Sequence, residues 1–179
     1  MDRDSIIFFK NKYDTEEDLY TRGDEKELRE RLRKNNYLTK EDLIQIIKWK
    51  FQGRLAGRQK RFLKMIEETD DQFIKKISKF AFETKDDEMR IKLFCVIKGV
   101  GTSLTSVILA FYDPDNHGIM DIHSWRELFG KEPNDLFTSN KHLMRFLNKL
   151  REISNEVNLS CRDIEKAFFK KNFDESISK

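Results

Sequence analysis

Two prolines and seven glycines in 179 residues leave few places for the chain to break. That scarcity suits helices joined by short turns, and strand signals are correspondingly few. The two cysteines, Cys95 and Cys161, are too few for a four-cysteine metal cluster or a disulfide framework. Both fall inside apolar helical patterns, as core residues of a reducing compartment would. Three histidines, His117, His123 and His142, lack the paired spacing of a zinc site. Neither a phosphate-binding G-x-x-x-x-G-K-S loop nor a G-x-S-x-G nucleophile motif occurs, so P-loop and esterase chemistry have no support. No metal and no cofactor is expected. The longest apolar run, Val107 to Tyr112, falls far short of a membrane span, and the opening MDRDSIIFFKNKYD is too acidic for a secretory signal. A soluble, cytoplasmic protein without a membrane partner is expected. The 35 basic residues nearly balance 32 acidic ones, leaving a net charge of +3. No overall field imposes a nucleic-acid partner, so any such binding must use a local basic face.

What is present is helical periodicity. The length suits one domain spanning residues 1–179. TKED at 39–42, TDDQ at 69–72 and SCRD at 160–163 place a hydroxyl residue three positions before an acid or amide, the pattern of a capping box. Apolar residues then recur at helical spacing: Leu43, Ile46 and Ile47; Phe73, Ile74, Ile77 and Phe80; Ile164, Ala167 and Phe168. Leu143, Phe146, Leu147 and Leu150 repeat the pattern, as do Leu28 and Leu32 more weakly. The expectation is an all-α, compact multi-helix domain of about eight helices.

Residues 86–112 contain a helix, the break K-G-V-G and a second helix, TSLTSVILAFY. The glycines permit backbone angles that a Cβ opposes, and Val100 between them can plug the angle where the helices meet. The N–H groups of Gly101, Thr102 and Ser103 would then be donors at a positive helix end, suited to an anion such as a DNA phosphate, with Lys98 adding charge beside Gly99. The same turn is also what two packed helices need for purely structural reasons. Further on, Asp121 precedes the apolar stripe of Ile122, Trp125 and Phe129, where an aspartate can serve as an N-cap. His123 and Arg126 suit either phosphate contact or plain solvation. The acidic stretch DPDNHGIMDIHS offers Asp113, Asp115 and Gly118 to a calcium loop, but His117 and Ser124 stand where oxygen ligands belong. An ordinary turn accounts for it equally. The densest basic and aromatic patch is KWKFQGRLAGRQKRFLK, residues 48–64: as a DNA contact, Lys48, Lys50, Arg54, Arg58, Lys60, Arg61 and Lys64 would meet phosphates and Trp49 or Phe51 would stack on an extruded base, whereas core aromatics beside a solvated basic face account for the same residues.

Taken together, I-K-G-V-G-x-S-h-T-S-V-I-L followed by I-M-D-I-H-S-W-R resembles the helix-hairpin-helix DNA glycosylase superfamily, and is most similar to its endonuclease III branch. Gly99, Val100, Gly101, Asp121, His123 and Arg126 occupy the places of that pattern. The resemblance covers about residues 86–130. It implies a helix-hairpin-helix at about 86–112 that holds duplex DNA, with or without a damaged base, and a catalytic Asp121 that supports loss of a flipped base. Gln52 is the candidate for the base-displacing glutamine, although the stretch from it to Gly99 is shorter than in the full enzymes. Two further departures matter. Only Cys161 follows Gly130, so the iron-sulfur loop is absent. Ser103 occupies the place of the catalytic lysine, so the resemblance implies a monofunctional enzyme that leaves an intact abasic strand. The alternative is a non-catalytic DNA-binding or protein-interaction module.

Overall fold

The structure is a computed structural model that describes residues 1–16, 19–51 and 56–178, with side chains throughout except at 19–24 and 56. Among the described residues it is helical, with no strand: α1 (Arg3–Glu16), α2 (Leu19–Asn35), α3 (Lys40–Lys50), α4 (Ala56–Glu67), α5 (Asp71–Glu83), α6 (Asp87–Cys95), α7 (Thr102–Tyr112), α8 (Ile122–Phe129), α9 (Asn140–Val157) and α10 (Cys161–Ile177). None of them is long and apolar enough to cross a membrane. The all-α architecture follows the periodicity, but among the described residues ten helices stand where about eight are expected. The additional two are α1 and α4. In α1 the apolar residues Ile6 to Phe9 are adjacent rather than spaced by three or four, and the helix is held by burying Ile6 and Tyr13 while lying along α10. In α4 the basic residues obscure a stripe of Phe62, Leu63 and Ile66 that packs on the core.

The caps explain where the helices begin. Thr39 and Asp42 form the expected capping box at α3, and Ser160 accepts from Asp163 N at α10. At α5 the cap lies one residue later than the TDDQ pattern suggests: Asp70 accepts from Phe73 N at 2.8 Å, while the Thr69 hydroxyl donates back to Met65 O. An aspartate adjacent to a threonine competes for the same N–H groups, and here the carboxylate wins.

Helix α7 is the axis of the molecule. Nine of its eleven residues are buried, as expected of a helix apolar on all sides, and α2, α3, α6 and α9 pack around it. On the far side α10 gathers α1, α8 and α9. A continuous apolar core joins both groups through Phe94, Phe111, Trp125, Phe146 and Leu147.

The acidic segment after α7 is a turn used for packing. Pro114 O and Asp115 O accept from Arg162 N and Cys161 N at 3.0 and 3.1 Å, satisfying the start of α10, and the Asp113 carboxylate accepts from Asn116. Gly118 owes its place to close approach rather than to a calcium loop. A Cβ there would lie 2.5 Å from Leu150 Cδ1 and 2.9 Å from Glu165 Cβ. The chain then runs buried through Ile119 and Met120 and delivers Asp121 to the start of α8.

Candidate functional site

A cavity of about 510 Å³ opens where α3, α4, the start of α7 and the start of α8 converge. Its apolar lining comes from Phe51, Phe62, Leu104, Ile122 and Phe137, and its charges are Lys50, Arg58, Arg61 and Asp121. Phe51 and Phe62 stack with ring centres 4.9 Å apart, forming an aromatic wall. Three cations and a single carboxylate make the lining electropositive, with the acid set among apolar and basic neighbours.

The turn between α6 and α7 supplies the next part. Val100 N donates to Ile97 O at 2.9 Å and the Val100 side chain is buried, so the residue between the glycines closes the angle of the two helices. Gly99 has φ 89°, a conformation that glycine adopts without strain, and a Cβ there would meet Met65 Cβ at 3.0 Å. Gly101 is the N-cap of α7 and offers no side-chain cap. The first N–H groups of the helix therefore retain their capacity to hold an anion, and Gly101 and Ser103 border the cavity.

Asp121 is a helix cap that also borders the cavity. It is the N-cap of α8, with Oδ1 accepting from His123 N at 2.9 Å and its own N–H donating to Ser124 Oγ. The same carboxylate lines the cavity. Its placement is fixed from behind by the buried network of α2 and α10. Arg162 donates to both carboxylate oxygens of Glu25, at 3.2 and 3.1 Å, and to Glu165. Glu165 Oε2 in turn accepts from Ile119 N at 3.2 Å, two residues before Asp121. Burial raises the Glu165 pKa and Arg162 opposes this only in part, whereas for Glu25 the attraction of Arg162 outweighs burial and the pKa falls.

Lys50, the last residue of α3, keeps some surface toward the cavity and is enclosed by protein on its other sides. Burial lowers its pKa, and the charges of Asp121 and Glu165 only partly restore it while Arg162 repels.

Of the residues singled out from the sequence, the cavity brings together Lys50, Gly101, Ser103 and Asp121. Others are engaged elsewhere. Thr102 is buried and its hydroxyl donates to Phe137 O, which ties the α7 start to the cavity wall. Lys98 pairs with Glu68 at 2.7 Å, and Arg126 holds Glu132 through two nitrogens. His123 Nδ1 faces Asn172 Oδ1 at 3.0 Å, and its ring packs edge-on to Phe169 and Phe173 of α10. Trp49 lies edge-on to Phe111 in the core. Lys48 is exposed beside the patch. Gln52 and Arg54 lie outside the described residues. Arg58 and Arg61, two cations of the 48–64 patch, sit three residues apart on α4 and so share one face toward the cavity. Phe137 and Thr138 come from the loop between α8 and α9, where no local pattern marks them.

Compared with known families, with curated proteins and with solved structures, the chain matches none.

Proposed function

We propose that this chain is a helix-hairpin-helix DNA-binding protein that releases a damaged or mismatched base, in the manner of an endonuclease III-like glycosylase that has neither an iron-sulfur cluster nor a lysine at Ser103. The observation that carries the reading is the meeting of Asp121 with the uncapped start of α7 in one electropositive, aromatic-walled cavity. Each part has a use. The α7 N–H groups with Arg58 and Arg61 receive backbone phosphate, the cavity accepts an extruded base, and Phe51 and Phe62 offer an apolar, aromatic wall to its ring. A volume of about 510 Å³ lies within the roughly 300–1,000 Å³ of small-ligand sites. As the bond from C1′ to the base breaks, the sugar gains oxocarbenium character, and a carboxylate in an apolar setting stabilises that charge more than water does. Asp121, held by the α8 start and by Glu165 through Ile119, is positioned without reorganisation.

The test is a panel of duplexes, each with one altered or mispaired base, treated with alkali to reveal abasic sites. Base release from at least one member is expected, with binding that weakens steeply with salt because each phosphate contact adds about −0.9 to the slope. A second reading, a non-catalytic DNA-binding or protein-interaction module, draws on the hydrogen bond from His123 N to Asp121 Oδ1, which gives that carboxylate a structural use. Salt-sensitive DNA binding with no base released from any duplex would favour it.

A further inference from the structure

We infer that the outward face of α5 and α6 is an interface through which two copies of this chain pair about a two-fold axis. Among the described residues eight large apolar side chains are exposed, and four of them stand here. They are Phe73 and Phe80 on α5, Met89 on α6 and Val96 at its C-cap, at 38 %, 62 %, 51 % and 57 % exposure. The two helices pack together in opposite directions. Arg90 Nε, near the start of α6, donates to Ala81 O and Thr84 O at the end of α5, at 3.2 and 3.1 Å, while Lys98 beyond α6 pairs with Glu68 just ahead of α5. A step of three or four residues forward on one helix therefore matches the same step back on the other. Phe80 lies level with Met89, Ile77 with Leu93 and Phe73 with Val96. Ile77 and Leu93 are half-buried against the core, so they floor a shallow seam between two apolar ridges.

The face is complementary to itself. A two-fold axis along the seam lays α5 of one copy on α6 of the other with every level kept, so Phe80 meets Met89 of the second copy and Phe73 meets its Val96. On the flanks, exposed Lys79 of α5 comes beside exposed Glu88 of the second copy's α6. An axis across the seam would instead lay α5 on α5 and set Lys76 and Lys79 against the same lysines, which like-charge repulsion opposes. By their exposed fractions the four side chains present roughly 400 Å² of apolar surface, a size at which patches serve interaction. With the seam and the charged flanks the face reaches roughly 600 Å² per copy, the lower end for specific pairs. Contacts of this kind close at two copies rather than extending into a fibre. Because the axis runs along the helices, both α6 to α7 turns emerge at the same end of the pair, and two cavities are offered to one side. Pairing does not require base release.

Light scattering on the full chain, from about 1 to about 300 μM, should show the mass rise from 21.5 kDa toward twice that value, with half-pairing on the order of 10 μM. Phe80→Glu changes a side chain that lies largely in water, so circular dichroism and Tm should match the wild type while the mass stays at 21.5 kDa throughout. Lys79→Glu and Glu88→Lys should each weaken pairing about fivefold by setting like charges together at two symmetric places, and the double variant should recover to within about twofold of the wild type. A mass of 21.5 kDa at every concentration, or a Phe80→Glu protein that pairs as the wild type does, overturns the proposal. A double variant that stays weaker than either single change overturns the orientation. Flotation with vesicles containing phosphatidylserine reads the case in which lipid covers the face: wild type bound, Phe80→Glu free and no pairing at any concentration would also overturn it.

Discussion

Replacing Gly118 by alanine should destabilise the protein and disturb the site at once. The new Cβ would lie 2.5 Å from Leu150 Cδ1, 2.9 Å from Glu165 Cβ and 3.3 Å from Cys161 O. Leu150 is fully buried and cannot swing away, and Glu165 Cβ is fixed to the backbone of α10. The loop must therefore retreat. Overpacking of this kind costs about 1–3 kcal/mol. Retreat also stretches the bond from Ile119 N to Glu165 Oε2, and a hydrogen bond to a charged group contributes about 1.5–3 kcal/mol. With partial relaxation the total is about 3 kcal/mol, which for a chain of this length lowers Tm by about 6–12 °C. Thermal unfolding followed by far-ultraviolet circular dichroism reads the shift. Base release measured well below the new Tm should fall as well, because Ile119 leads directly into Asp121. A Tm within about 2 °C of wild type would refute the close-approach account of Gly118.

Removing Arg162 as Arg162→Met should cost about 3–5 kcal/mol, since Glu25 and Glu165 are then left buried and unpaired; equilibrium urea unfolding measures it. Asp87, with His117 Nε2 3.5 Å from its Oδ1 and the Arg151 guanidinium on its Oδ2, has its pKa depressed well below the ordinary carboxylate value despite burial. The unfolded chain therefore binds the proton more readily, so the stability that Asp87 contributes is complete above about pH 4 and is lost as pH falls through its folded value. Asp87→Asn should lower stability near neutral pH by about 3 kcal/mol and flatten the acid limb of a Tm-against-pH curve; an unchanged limb would contradict the assignment. The double change Arg58→Gln, Arg61→Gln should weaken duplex binding and reduce the salt slope by about 1.8 if both meet phosphates, as read by fluorescence anisotropy at several salt concentrations.

How much of this was legible beforehand differs between backbone and site. Capping residues and 3–4 spacing located α3, α9 and α10 because those signals are local. At α1 the apolar residues are consecutive, and at α4 dense positive charge masks a three-residue apolar stripe, so both helices depend on packing partners that sequence does not display. Asp121, Gly101 and Ser103 were legible through a fixed spacing along the chain, and Lys50 through the patch it belongs to. Arg58 and Arg61 belong to the same patch, but that they face the cavity, and that Phe137 joins them there, is set by tertiary convergence. The buried Arg162, Glu25 and Glu165 network was illegible for a similar reason. Glu25 and Arg162 are 137 residues apart, and nothing in a charged residue's neighbours along the chain says that it will be enclosed. Conversely, His123 and Arg126 match a spacing pattern, yet their side chains are committed to Asn172 and Glu132.

The most direct measurement compares wild type with Asp121→Asn on any duplex from which the wild type releases a base. Asparagine caps a helix as well as aspartate does, and its amide oxygen can still accept from His123 N, so Tm should change by no more than about 2 °C. The carboxylate charge is gone, and the single-turnover rate of base release should fall by about 100-fold or more, the scale for losing a preorganised charge-stabilising group. A preserved rate with unchanged Tm would contradict the central claim that the Asp121 carboxylate drives base loss in this cavity.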